Sequence, residues 1–311
     1  MRRELFAGDE AFVLESECLR AVILPKRGGK MASCVYKPNQ MELLFQNPLG
    51  HYRNAKIGDD FTLFDASGFD DAFPSIDAGV VSVGGQAVAY PDHGEIWSAA
   101  FTAQSQEKSL KLQYRSRLLP YLYEKEWCLT DSEITCQYTI THTSGPAFPY
   151  IWAMHGLFRD EPGLVFSFPH GVETVRSVYG EELIGPPDSL WQFPVDAPCG
   201  KPYDFRAMPP EKAVKYYAEG KVQEGRCGLR YTSSGTEVEF LYDHHKLPFL
   251  ALWATSGGFR GDCNCALEPC SGFYDSIEKA QKLGLCSVLK EGETLQFSIA
   301  IHVSTMDEGV R

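Results

Sequence analysis

The chain has 311 residues, with 29 Lys and Arg against 41 Asp and Glu, and a formal net charge of −12. That balance excludes a nucleic-acid backbone or an anionic membrane surface as the main partner, since both need clustered positive charge. Hydrophobic residues at 44% and charged residues at 23% supply apolar material for a sizeable core and argue against intrinsic disorder. The opening MRRELFAGDE has no apolar run after its arginines, so neither a secretory signal nor a membrane-spanning helix is expected. The ten cysteines therefore read as reduced thiols of a cytoplasmic protein.

In chain order, the dominant rhythm is short and β-like. AFVLES (11–16), LRAVILP (19–25), KMASCVYK (30–37), QAVAYP (86–91) and KLQYRSRL (111–118) are strand-length runs punctuated by Gly, Pro, Asn or Asp. In EITCQYTITHT (133–143), Ile134, Cys136, Tyr138 and Ile140 alternate with Thr135, Gln137, Thr139 and Thr141. That is the pattern of a strand with one dry and one wet face. The Pro-rich stretch 185–205 carries aromatic residues and predicts a loop packed on the body. PPEKAVKYYAEG (209–220), with Pro at its start and Gly at its end, predicts a helix. TEVEFLYD (236–243) and FLALWATS (249–256) return to strand. DSIEKAQKLG (275–284) predicts a short helix capped from Asp275 to Glu278, and LQFSIAIHVS (295–304) a last strand. The fold class is all-β, one domain over 1–311 built as a large antiparallel β-sandwich with few short helices.

Cys263, Cys265 and Cys270 crowd together as C-x-C-x₄-C without a companion Cys or His pair. Small buried strand residues are the preferred reading, and no metal or cofactor is expected. Three polar constellations remain. His93 sits in a Pro/Asp/Gly turn within YPDHGEIW (90–97), where a solvated loop histidine is the plain alternative. His155 is one imidazole in the apolar run FPYIWAMHGLF (148–158), where a core histidine bonded to a backbone carbonyl is the alternative. Glu268 stands in the otherwise uncharged NCALEPCSG, and a carboxylate there is either paired or raised in pKa, as suits a general base. An imidazole acid and a carboxylate base among Trp and Tyr suit proton shuttling on a sugar, and the three residues are expected to converge in one concave site.

The order PDHGEIW, FPYIWAMHGLF and LPFLALWATSGGFRGDCNCALEP with a following short helix, together with GFDDAFPSI (68–76), resembles the aldose 1-epimerase (galactose mutarotase-like) family. The resemblance runs from about residue 20 to the final strand at 295–304. It implies a β-supersandwich and cofactor-free interconversion of the anomers of a free aldose, with Glu268 as general base and His155 as general acid. His93 would face the substrate, and Asp71, Asp243 and Trp253 are further candidate substrate contacts. A hexose-phosphate epimerase, a non-catalytic carbohydrate-binding module and a polysaccharide lyase are the rival readings. The sequence leaves the sugar and the oligomeric state open.

Overall fold

The structure, a computed structural model, describes residues 1–64, 66–161, 163–193 and 208–306. The strand-like runs all form strands: Asp9–Glu15, Leu19–Leu24, Lys30–Tyr36, Gln86–Tyr90, Ser109–Arg115, Glu133–His142, Thr236–Tyr242, Phe249–Phe259 and Thr294–Thr305. They join others in two large antiparallel sheets, one of 13 strands and one of eight, beside two small two-stranded ribbons. None of the described helices is long and apolar enough to cross a membrane.

The eight-stranded sheet follows period two closely. Ile134, Cys136, Tyr138 and Ile140 are buried, while Gln137 between them is exposed. Its neighbour Tyr121–Leu129 alternates in the same way and pairs with it from Tyr121↔His142 to Leu129↔Ile134. The buried rows of the two sheets interlock as one core, in which Tyr138 stacks on Phe297 with ring centroids 4.9 Å apart and Trp152 meets the same Phe297 edge-on. Each such large apolar side chain contributes about 1.5–3 kcal/mol by leaving water.

The middle of the 13-stranded sheet is buried on both faces. Its strands run Phe69–Ala72, Ala153–Gly156, Asp262–Cys270, Phe249–Phe259 and Lys212–Ala218, in that spatial order. One face packs on the second sheet, and Cys265 and Leu267 belong to that core. The opposite face carries Asn264, Ala266 and Glu268, one pleat apart. Loops cover it, and a cavity lies there.

Two sequence expectations are corrected. The segment 209–220 is not a helix but contains the strand Lys212–Ala218, paired on one side with Thr174–Tyr179 and on the other with Phe249–Phe259. Its Glu-Lys-Ala start favours helix locally, yet Ala213 to Ala218 are all buried between two ladders, and tertiary pairing overrides propensity. The short helix spans Ile277–Lys282 and is capped by Ser276, whose Oγ accepts the Lys279 N–H at 3.3 Å; Asp275 does not cap it. Of the loop expected at 185–205, residues from 194 onward lie outside the described residues. The nine described cysteines are free thiols, and Cys265 and Cys270 are buried strand residues.

Candidate functional site

His155 enters the site from the strand Ala153–Gly156, directly opposite Asp70 in the ladder with Phe69–Ala72. Its Nδ1 lies 2.7 Å from Asp70 Oδ1, so the partner is a carboxylate rather than the backbone carbonyl expected of a structural histidine. Lys30 Nζ approaches the other oxygen, Asp70 Oδ2, at 3.3 Å. Burial alone would raise the Asp70 carboxyl, but Lys30 and His155 outweigh it and hold the group at about 2. An ionised Asp70 fixes the His155 ring with a proton on Nδ1 and leaves Nε2 as the nitrogen available to a substrate.

His93 comes from a tight turn that crosses back to the same sheet. Its backbone is left-handed (φ 55°), as is that of Gly94 (φ 67°), and its N–H donates to the Ile76 carbonyl at 2.6 Å. Glu95 anchors the turn from beneath: fully buried, it accepts hydrogen bonds from Tyr114 Oη at 2.9 Å and Tyr121 Oη at 2.6 Å, both from the second sheet, and from Ser116 Oγ in the loop between their strands. The acidic residue of the PDHGEIW motif therefore holds the turn, and the histidine is what the turn presents. Burial lowers the His93 pKa below its ordinary value, against the pull of the Asp92 carboxylate 3.0 Å from Nδ1. His93 is thus a neutral ring at neutral pH.

A methyl group at Gly94 would stand 2.0 Å from the Phe73 carbonyl oxygen. Gly94→Ala is therefore expected to cost at least about 1–3 kcal/mol, through strain and loss of the bridge to Phe73. Urea unfolding would measure it, and an unchanged midpoint would refute this account of the turn.

Glu268 projects from the strand Asp262–Cys270 and is 3% exposed. Lys215, on the strand corrected above, places Nζ 2.9 Å from Glu268 Oε2 and 3.0 Å from Asp275 Oδ1. Tyr217 Oη donates to the same Asp275 oxygen at 2.7 Å. Burial disfavours the Lys215 charge, but Asp275 and Glu268 more than reverse that, so the ammonium stays protonated across the working range. One cation thus serves two carboxylates.

These groups share a cavity of about 230 Å³. Phe61 stacks on His93 with centroids 3.9 Å apart and meets His155 edge-on, and the two imidazoles are 5.0 Å apart. Trp253 walls the other side, its Nε1 donating to Asn264 Oδ1 at 3.1 Å. Of the residues singled out from sequence, His93, His155, Glu268 and Trp253 meet in this cavity.

Asp71 and Asp243 do not. Asp71 points the opposite way from Asp70, into the interior, where it pairs with Lys125 and accepts from Tyr123 and Tyr138. Alternation along the strand makes this unavoidable once Asp70 faces His155. Asp243 is exposed in a turn and accepts the His245 N–H at 2.9 Å. Sequence reasoning missed Lys215, Asp275, Asp70 and Asp77. The D-D doublet and the charged residues flanking the C-A-L-E-P run were the available signals. Among the described residues no group of three or more His, Cys, Asp or Glu side chains is placed to hold a metal ion.

No protein-family model matches the sequence, and a comparison with curated proteins finds no match. Solved structures do match in architecture. A protein from Synechocystis sp. PCC 6803 is 15% identical, with 98% of this chain and 100% of that one covered and a TM-score of 0.73. A galactose mutarotase-like protein from Clostridium acetobutylicum is 13% identical over 98% of each chain, with a TM-score of 0.70. A galactose mutarotase related enzyme from Lactobacillus acidophilus is 16% identical over 96% of this chain and 99% of that one, with a TM-score of 0.68. The architecture is that of a β-supersandwich. This chain has the galactose mutarotase-like fold.

Proposed function

We propose that this protein interconverts the α and β anomers of a free aldose by general acid/base catalysis. The observation that carries this reading is the meeting of His155, His93 and Glu268 in one aromatic-walled cavity. Glu268 takes the proton of the anomeric hydroxyl while His155, through Nε2, protonates the ring oxygen. The C1–O5 bond opens to the aldehyde, rotation about C1–C2 exposes its other face, and the ring recloses with the proton transfers reversed. Proton count and charge are restored after each cycle, so no cofactor enters. The two histidines divide the work by environment. Asp70 fixes the His155 ring through Nδ1, whereas His93 is half-buried and neutral and suits a hydrogen bond to the oxygen that develops charge. Trp253 offers a flat apolar face to the C–H side of a pyranose, while Phe61 braces the His93 ring from behind.

Anomer equilibration followed by polarimetry or proton NMR over a panel of free sugars tests the reading directly. Acceleration for at least one sugar is expected; sugar binding without acceleration would leave a carbohydrate-binding module. Asp70→Asn provides a finer test, because the amide no longer fixes the required tautomer and orientation of the ring. The variant should lose a large share of the roughly 10²–10⁴-fold worth of a general acid while its sugar affinity holds. A wild-type kcat in a folded Asp70→Asn protein would remove His155 from the acid role.

A further inference from the structure

We propose that Asp77 is the specificity-determining residue of the cavity, selecting uncharged and amine-bearing sugars and rejecting phosphorylated ones. The proposal deepens the mutarotase reading and takes its ligand class from it. Asp77 is fixed by its backbone between the two halves of the site. Its N–H donates to the Asp275 carbonyl at 3.1 Å, and the carbonyl of the preceding Ile76 receives the His93 N–H at 2.6 Å. The side chain lines the cavity together with Glu268, Asp275 and Lys215. Among the described residues, its carboxylate makes no hydrogen bond or ion pair, whereas Glu268 and Asp275 share Lys215.

The charges around the cavity decide which substrates fit. Among the described residues, three carboxylates line it against the Lys215 ammonium; His155, cationic in the acid role proposed above, faces the Asp70 carboxylate, and His93 is neutral. The carboxylate left over, Asp77, accepts from a sugar hydroxyl or pairs with a sugar ammonium, but it repels a phosphate. Among the described residues, Lys215 is the one lysine or arginine lining the cavity, and Glu268 and Asp275 already hold it. Lys26, Arg27 and Arg53 line a separate cleft of about 380 Å³, bounded by Trp97, whose far edge packs on the Phe61 of the cavity. Arg27 is already bonded to Asp9 there.

The groups facing Asp77 also make the selection pH-dependent. Although Asp77 is exposed at the edge of the cavity, partial desolvation and then Asp275 raise its carboxyl, Lys215 pulls it back and Asp92 adds to the rise, bringing it to about 6. His93, His155, Tyr179 and Glu268 are the other titratable groups of its lining. Below about pH 6 the group is protonated, and both the attraction for an amine and the repulsion of a phosphate fade.

Calorimetric titration with glucosamine, glucose and glucose 6-phosphate tests this without relying on turnover. Near neutral pH, the amine-bearing and neutral hexoses should bind at least about tenfold more tightly than the phosphate ester, and the gap should narrow by about pH 5. Asp77→Asn should shrink the gap to within about threefold, with thermal melting confirming an intact fold. A phosphate ester that binds as tightly as its neutral parent would overturn the proposal, as would a variant that keeps the selectivity or the absence of any sugar binding. Selective binding without anomer exchange would instead defeat the enzymatic reading while leaving Asp77 its role.

Discussion

Glu268→Gln is expected to slow anomer exchange by roughly 10²–10⁴-fold, the usual worth of a general base, while sugar affinity changes little. The amide keeps the shape of the side chain and can still accept from Lys215, which retains its 3.0 Å contact with Asp275. The fold should therefore stand, and only the proton acceptor is lost. Exchange rates by proton NMR, read beside a binding titration and a melting curve, separate the two effects. A rate within a few-fold of wild type would take the base role away from Glu268 and turn attention to Asp275, which shares its cation.

The second large effect lies outside the cavity. Asp71→Ala should lower stability by about 3–5 kcal/mol, because it strands a fully buried charge. Lys125 and Asp71 side chains are both 0% exposed and ion-paired, and Tyr123 and Tyr138 spend their hydroxyls on the same carboxylate. After truncation Lys125 keeps only the Gly28 carbonyl at 2.9 Å, and two phenols lose their acceptor. Urea unfolding should rank the wild type as most stable, Asp71→Asn next and Asp71→Ala least, since the amide preserves shape and part of the bonding. If Asp71→Ala unfolded at the wild-type midpoint, the pair would not be holding the sheets together.

The legible parts of the molecule were those governed by local periodicity. Strands of the eight-stranded sheet have one dry face, so residues such as Ile134 to Ile140 announce themselves by alternation. The middle of the larger sheet lacks that signature because loops cover its outer face. Lys212–Ala218 is buried on both sides and shows no alternation, and the Pro start and Gly end of 209–220 signal a helix instead. That misreading hid Lys215, the cation at the centre of the site. A similar shift affected Asp275, which looks like a helix cap in sequence, yet Ser276 caps and Asp275 turns to Lys215. His93, His155, Glu268 and Trp253 were legible because each is a chemical exception in its surroundings. Asp71 was also an exception, but its direction depends on which member of the doublet meets His155. That is a fact of pairing between segments 85 residues apart.

The doublet also bears on how the chain finds its pairing. Sliding Phe69–Ala72 by one residue against Ala153–Gly156 would bring Asp71 to His155 and turn Asp70 inward, exchanging one aspartate for another of identical chemistry. The polar residues of this strand therefore cannot tell the correct alignment from its nearest error. The discrimination falls to Phe69 and Phe73, both 0% exposed and on the inward side with Asp71. A slipped strand would expel both rings into the outer layer, forfeiting about 1.5–3 kcal/mol apiece. Two phenylalanines thus proofread the placement of two aspartates, and shortening either ring would degrade the site by making the wrong alignment affordable, without touching a single polar atom.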